Sequence, residues 1–318
     1  MGDIVLTTPV IRALYQQVPG AEIHYVTKPE YEPLLKANPY IHRIHLLHDR
    51  IAPLCSNLEK EKIDYIIDLH NNIRSGSMKR RLRVPAYTFS KMNLTKWLYV
   101  NFKLNLMPCS HVVDRYMKTL SVFDVRNDHR GLDYFIPAGE AAVDHLLPDF
   151  ATVGFLAFVI GGTYATKRLP AEKAADICRG LTVPVVLLGG REEESAGDRI
   201  AGMAGDHVVN LCGKTSINQS AAILEKSNLV LTNDTGLMHI AAAMQKKIAS
   251  FWGNTVPGFG MSPYLPDPGS VEFQVEGLKC RPCSKLGFSQ CPKGHFRCMN
   301  DIDTLKVIQW VNSHYPQL

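Results

Sequence analysis

No apolar run in these 318 residues is long enough to cross a membrane. The strongest, Val153 to Ile160, falls far below the roughly 18 residues a spanning helix needs. The opening residues carry no leader pattern, so the expectation is a cytoplasmic protein whose eight cysteines stay reduced. Low-complexity tracts and roughly 20–50-residue repeats are missing too, which removes solenoids and propellers. Neither a Walker lysine motif nor a clean Gly-x-Gly-x-x-Gly occurs, so a P-loop NTPase and a standard dinucleotide dehydrogenase lose support. Charge of either sign is in short surplus: 35 Lys and Arg against 30 Asp and Glu give +5. That balance suits an anionic ligand or an acidic membrane surface and falls short of a nucleic-acid footprint. At 46% hydrophobic and 20% charged, the chain is globular, with room for two domains of common size.

The second half alternates between two periodicities. Val153–Ile160, Val183–Leu188, Val208–Leu211, Leu229–Leu231 and Lys247–Trp252 read as strands. Between them, Pro170 opens a helix through Ile177, and Glu192–Met203 and Asn218–Lys226 read as further helices. Such alternation predicts a parallel, doubly wound α/β sheet. The first half repeats the theme less cleanly, with a helix from Thr8-Pro9 to Tyr15 and strands at Ile23–Val26 and Ile63–Leu69. A linker is expected near residues 137–150, separating an amino-terminal domain (1–140) from a carboxyl-terminal one (150–300). A last helix over Ile302–Tyr315 is expected after a capping Asp301, within a terminal segment 301–318.

Three loops at strand ends carry the chemistry. The stretch LVLTNDTGLMHIAAAM, 229–244, is a strand that breaks at Asn-Asp-Thr-Gly and continues as a helix with Leu237, Ile240, Ala241 and Met244 on one face. Asp234 or Thr235 can cap that helix, and Gly236 lets backbone amides approach a ligand. His239, four residues after Thr235, shares its face. Taken alone, the stretch is equally well a capped helix with a satisfied histidine. The loop Gly161–Pro170, however, offers Thr163, Lys167 and Arg168 after another strand, suited to phosphate. A third loop, Gly189-Gly-Arg-Glu192, ends in an acid that can accept hydrogen bonds from a ribose. Together the three predict a nucleotide site at the carboxyl ends of the strands, where open α/β sheets bind ligands.

GDIVLTTPVIRAL (2–14), IDYIIDLHNNIRS (63–75), LLGGREEE (187–194) and NDTGLMHIAAAM (233–244) resemble glycosyltransferase family 9, the heptosyltransferases of lipopolysaccharide inner-core assembly. The resemblance spans almost the whole chain. It implies a GT-B fold, two Rossmann-like domains facing across a cleft, with donor on the carboxyl-terminal side and acceptor on the other. It further implies an inverting transfer of heptose from an ADP-heptose donor to a lipid A/core acceptor. No cofactor or metal is implied, and a peripheral place on the inner face of the inner membrane is compatible with the acceptor. Carried over by residue, Asp234, Thr235, Gly236 and His239 meet the donor's diphosphate and sugar, and Thr163 of the phosphate-suited loop is a further donor-binding candidate. Lys167 stabilises the departing phosphate, Glu192 holds the ribose and Asp3 matches the general base; Arg74 is an acceptor-side candidate. A nucleotide-sugar 2-epimerase and a non-catalytic truncated homologue are the alternatives on this architecture.

Two features depart from that pattern. The family has an apolar strand and a small-residue loop before Gly-Asp, whereas Met1 directly precedes Gly2 here. The expectation is a truncated start, which leaves the first sheet without its first, central strand. The second is Cys280-x-x-Cys283 followed by Cys291 and Cys298, with His295 nearby. It is open to three readings: a structural zinc, thiols packed in an ordered loop, or disulfides.

Overall fold

A computed structural model of the chain describes residues 1–151 and 154–316. Its amino-terminal half contains helices α1 (Gly2–Val5), α2 (Thr8–Gln17), α3 (Ile51–Lys60), α4 (Ile73–Leu82), α5 (Asn93–Phe102) and α6 (Val112–Met117). These surround strands β1 (His24–Thr27), β2 (Arg43–Leu46), β3 (Ile66–Asp68) and β4 (Ala86–Thr88). The carboxyl-terminal half contains β5 (Leu156–Val159), α7 (Ala171–Arg179), β6 (Val185–Leu188), α8 (Glu194–Ala204), β7 (Val208–Asn210), α9 (Ile217–Lys226), β8 (Leu229–Asn233) and α10 (Gly236–Ala243). It continues through β9 (Ile248–Trp252), β10 (Val271–Gln274), α11 (Arg297–Asn300) and α12 (Thr304–His314). No helix among the described residues is long and apolar enough to cross a membrane.

Six strands of the second half form one parallel sheet in the order β10-β9-β8-β5-β6-β7. Every residue of β5, β6, β8 and β9 is buried, as a sheet covered on both faces requires. One face packs on α7, α8 and α12, with Ile177, Ile200 and Val311 in the cluster. The opposite face packs on α9 and α10 and shares its cluster with Val5, Val10, Val113 and Leu120 of the first half. Polar contacts add to that join: the Val112 amide donates to Gly260 (2.8 Å), the Tyr264 hydroxyl to Asp114 (2.8 Å) and the Tyr134 hydroxyl to Asn218 (2.6 Å).

In the first half the described strands make two separate parallel pairs, β1 with β2 and β3 with β4, and no described strand joins them. The expected strand from Val153 begins at Leu156 in the structure, and Val153 itself lies outside the described residues. The expected linker is a string of 3-10 turns at Ala138–Glu140, Asp144–Leu146 and Asp149–Ala151. Asp303 rather than Asp301 caps the last helix, accepting from the Leu305 and Lys306 amides; the side chain of Asp301 instead pairs with Arg297.

Candidate active site

The chain leaves β5 to one side through β6 and β7, then returns to β8 on the other side. That reversal opens a crevice outside the carboxyl ends of β5 and β8, the place where such sheets accept ligands. The loops 161–170 and 234–236 border it, as their sequences predicted.

Asn233 fixes the two loops to each other. It is fully buried at the end of β8; its amide group donates to the carbonyls of Ile160 (2.9 Å) and Gly161 (3.1 Å), and its oxygen accepts from the Leu169 amide (3.1 Å). All its polar capacity is thus spent on architecture, which leaves the next residue to face the crevice. The Asp234 carboxylate lies 2.5 Å from Lys167 Nζ and accepts a hydrogen bond from the Thr255 hydroxyl at 3.1 Å. Thr255 is itself held by Arg281, which donates to its carbonyl at 2.9 Å. The Cys-rich segment braces the Lys167 loop from behind: Thr166 exchanges hydrogen bonds with the backbone of Phe288 at 2.8 and 3.2 Å. A cavity of about 630 Å³ adjoins Thr255, lined by Tyr99, Lys103, Val256, Gln274, Lys279 and Arg281.

Helix α10 starts at this point with its positive end open. Thr235 occupies the N-cap position, yet no side-chain oxygen caps the first turn. The leading amides and the helix dipole therefore favour an anion there. His239, one turn in, is 2% exposed and its Nδ1 has no hydrogen-bond partner. Burial, reinforced by the positive charges of His111, Lys167 and the chain amino group, pushes its pKa down to about 3, so the ring is neutral at physiological pH.

Helix α1 closes the other side. A Cβ on Gly2 would lie 2.8 Å from His239 Cδ2, and one on Gly236 would lie 2.5 Å from Met1 Sδ, so α1 abuts the first turn of α10 only because both positions are glycine. Asp3, the next residue on α1, is exposed. Lys96 of α5 is within its electrostatic reach; burial, then Arg115, push the lysine down to about 8 against the pull of Asp3. Its ammonium sits 5.8 Å from the ring centre of Phe259.

The remaining expected residues separate. Thr163 is exposed on the loop after β5. Glu192 is 86% exposed at the rim, 3.8 Å from Arg168. Its neighbour Glu193 is the buried acid: it pairs with Arg168 at 3.2 Å and accepts from the Gly190 amide at 2.9 Å, tying the second loop to the first. Arg74 is exposed in the first turn of α4 and makes no contact with these loops. Asp68, before it, is buried; burial alone would raise its carboxyl, but Lys79 at 2.6 Å and the Asn71 and His70 amides hold it below the usual range. The four cysteines of the carboxyl-terminal segment are free thiols, with Cys280 Sγ 3.9 Å from His295 Nε2. They do not converge as ligands: among the described residues, the one set of three His, Cys, Asp or Glu ligand atoms within 4.8 Å of one another is Glu22, His24 and His42.

Residues 51–285 match the sequence model of glycosyltransferase family 9 (heptosyltransferase). The chain belongs to glycosyltransferase family 9. Among relatives of this family 9 glycosyltransferase, lipooligosaccharide heptosyltransferase 2 of Haemophilus influenzae is 24% identical over 98% of this chain and 96% of its own. In structure it resembles the family 9 glycosyltransferase of Veillonella parvula, with a TM-score of 0.77, 23% identity, and 98% and 93% of the two chains covered. It also resembles an E. coli heptosyltransferase solved with ADP, with a TM-score of 0.64, 19% identity, and 98% and 96% covered. The fold is therefore GT-B.

The buried histidines give this family 9 enzyme an acid-sensitive core. His239 and His111 have folded pKa values lowered to about 3 and about 4, mainly by burial, against 6.5 for a histidine in water. Below 6.5 the unfolded chain takes up protons that the fold refuses, so stability is present above that pH and is lost as the pH falls toward 4. The expected loss between pH 6.5 and pH 4.5 is about 5 kcal/mol, at about 1.4 kcal/mol per pH unit for each of the two sites. Urea unfolding at pH 7 and pH 4.5 measures it, and His239→Asn should flatten the slope. An unchanged slope would mean that His239 is accessible to protons in the folded enzyme.

Proposed function

We propose that this chain transfers heptose from an ADP-heptose-type donor to a lipopolysaccharide inner-core acceptor, with inversion at the anomeric carbon. The observation that carries the reading is the contact of α1 with the first turn of α10 at the switch point, which supports assigning the general base to the carboxylate of Asp3 on α1 and the anion site to that helix terminus and Lys167. The donor's diphosphate would lie against the leading amides of α10, with Lys167 beside it. Asp3 would take the acceptor hydroxyl's proton as that oxygen attacks the anomeric carbon, while ADP departs toward Lys167 and the helix terminus. Attack and departure on opposite faces give a single displacement, hence inversion. His239, with its neutral ring and unsatisfied Nδ1, would hydrogen-bond the donor, Thr163 would line the phosphate loop, and Glu192 would hold the ribose. Arg74 would meet the anionic acceptor. The solved E. coli relative holds ADP and the Haemophilus relative is named for lipooligosaccharide, which supports this donor and this acceptor class. The reading needs no bound cofactor and assigns the enzyme to the cytoplasm.

Calorimetric titration of ADP, UDP and GDP tests the donor half. ADP should bind at least tenfold more tightly than the other two, and Asp234→Ala should remove most of that binding. Equal affinity for all three would sink the adenine assignment. Turnover of the nucleotide sugar in the absence of acceptor, beyond slow hydrolysis, would instead favour the epimerase class.

A further inference from the structure

Helix α5 is built in a way that the sugar-transfer chemistry does not explain. Six of its ten residues, Leu94, Trp97, Leu98, Tyr99, Val100 and Phe102, are apolar or aromatic, and none of the ten is buried. Its two faces have different partners. Lys96 and Tyr99 turn toward Phe259 of the second half, 5.8 Å away in each case. Leu94, Trp97 and Phe102 face solvent at 69, 51 and 60% exposure, and the Trp97 and Phe102 rings touch edge to face at 5.4 Å. The chain after the helix adds Leu104 and Leu106, both more than half exposed. An apolar stripe of this kind costs solubility and marks an interaction surface.

The charge around it selects the partner. Between residues 69 and 113 there are eight Lys and Arg (74, 79, 80, 81, 83, 91, 96 and 103) and no Asp or Glu. The other 27 of the 35 Lys and Arg face 30 Asp and Glu, so the protein's whole positive excess lies in this segment. Arg80, Arg81 and Arg83 are exposed at the end of α4, a helix that buries none of its residues. A second copy of the chain would bring this positive field against itself. Leu, Trp and Phe rising among arginines match instead an interface whose headgroups are anionic and whose interior is apolar.

We propose that α5 and the end of α4 form the surface by which this protein lies on an anionic lipid bilayer. The inference extends the proposed lipid-linked acceptor. Lys96 is on the face of α5 opposite the stripe and within the field of Asp3, so docking places the crevice over the membrane and lets an acceptor rise into it without leaving the bilayer.

Flotation of the full chain with mixed phosphatidylethanolamine–phosphatidylglycerol vesicles, against pure phosphatidylcholine, tests this. The chain should float with the anionic vesicles and release as salt is raised. Trp252 and Trp310 are buried, so a blue shift of tryptophan emission on binding would report Trp97. Arg80→Gln, Arg81→Gln and Arg83→Gln combined should weaken binding about a hundredfold, at roughly 1 kcal/mol per cation at an anionic surface. Leu94→Ser with Phe102→Ser should weaken it at least tenfold. Both variants should keep wild-type melting and ADP binding, since none of these residues is buried or contacts the donor crevice. Absence of flotation with anionic vesicles, or binding that neither variant weakens, overturns the proposal, as does a stable dimer that Leu94→Ser with Phe102→Ser dissolves. Vesicle binding without ADP binding would remove the donor reading and leave the docking surface standing, whereas ADP binding without flotation would do the reverse.

Discussion

Asp3→Asn is expected to lower kcat by about a hundred- to ten-thousandfold while leaving ADP affinity within a factor of about two, the range for removal of a general base. The substitution keeps the size and shape of the side chain and removes only its capacity to take a proton. Asp3 is exposed on α1, whose contact with α10 includes the close approaches of Gly2 to His239 and of Gly236 to Met1. Its loss should therefore leave the fold and the anion site intact. One cation in its field is Lys96, whose ammonium is already destabilised by burial. Removing the acid should lower that lysine further, so Asp3→Asn should also raise the KM for an anionic acceptor above pH 7. Single-turnover transfer, with calorimetric ADP binding beside it, separates the two effects. Equal turnover by the variant would rule Asp3 out as the base, and a parallel loss of ADP binding would make it a structural residue of the donor site.

How much of this was readable in the sequence depends on how local each feature is. The strands of the large sheet were legible because LAFV, VVLL and IASFW are buried on both faces, and full burial writes itself as an unbroken apolar run. Edge strand β10, VEFQ, is half exposed, and its Glu272 and Gln274 disguise it as a loop. The Asn-Asp-Thr-Gly seam was legible because strand, turn and helix are contiguous there. The division of labour inside it was not: Asn233 works through Ile160 and Leu169, more than sixty positions away, and Thr255 and Arg281 reach Asp234 only through the fold. Glu192 stands out in the sequence as the acid that ends the loop, and only the packing of Arg168 shows that its neighbour Glu193 is the buried one. Asp3 was identified by family resemblance alone, since nothing in the spacing of residues 3 and 239 announces that α1 and α10 touch.

Lys167→Ala is expected to reduce kcat/KM by about a hundred- to a thousandfold, the loss seen when one preorganised charge partner of a developing anion is removed. The ion pair with Asp234 makes this larger than the loss of a solvated lysine. Their side chains are 17 and 10% exposed and 2.5 Å apart, so each is held and partly desolvated by the other. Without Lys167, Asp234 would present an uncompensated negative charge at the mouth of α10, where the diphosphate has to sit. The single variant therefore loses an attraction and gains a repulsion. Asp234→Ala alone should also weaken ADP binding, because it frees Lys167 from its fixed position and leaves the Thr255 hydroxyl without its acceptor. If Asp234 acts by placing Lys167, the two losses cannot add: the double variant should bind ADP no worse than Lys167→Ala, and better to the extent that the repulsion mattered. A thermodynamic cycle on ADP affinity measures that coupling directly. Strict additivity would mean that Asp234 contributes to ADP binding independently of Lys167.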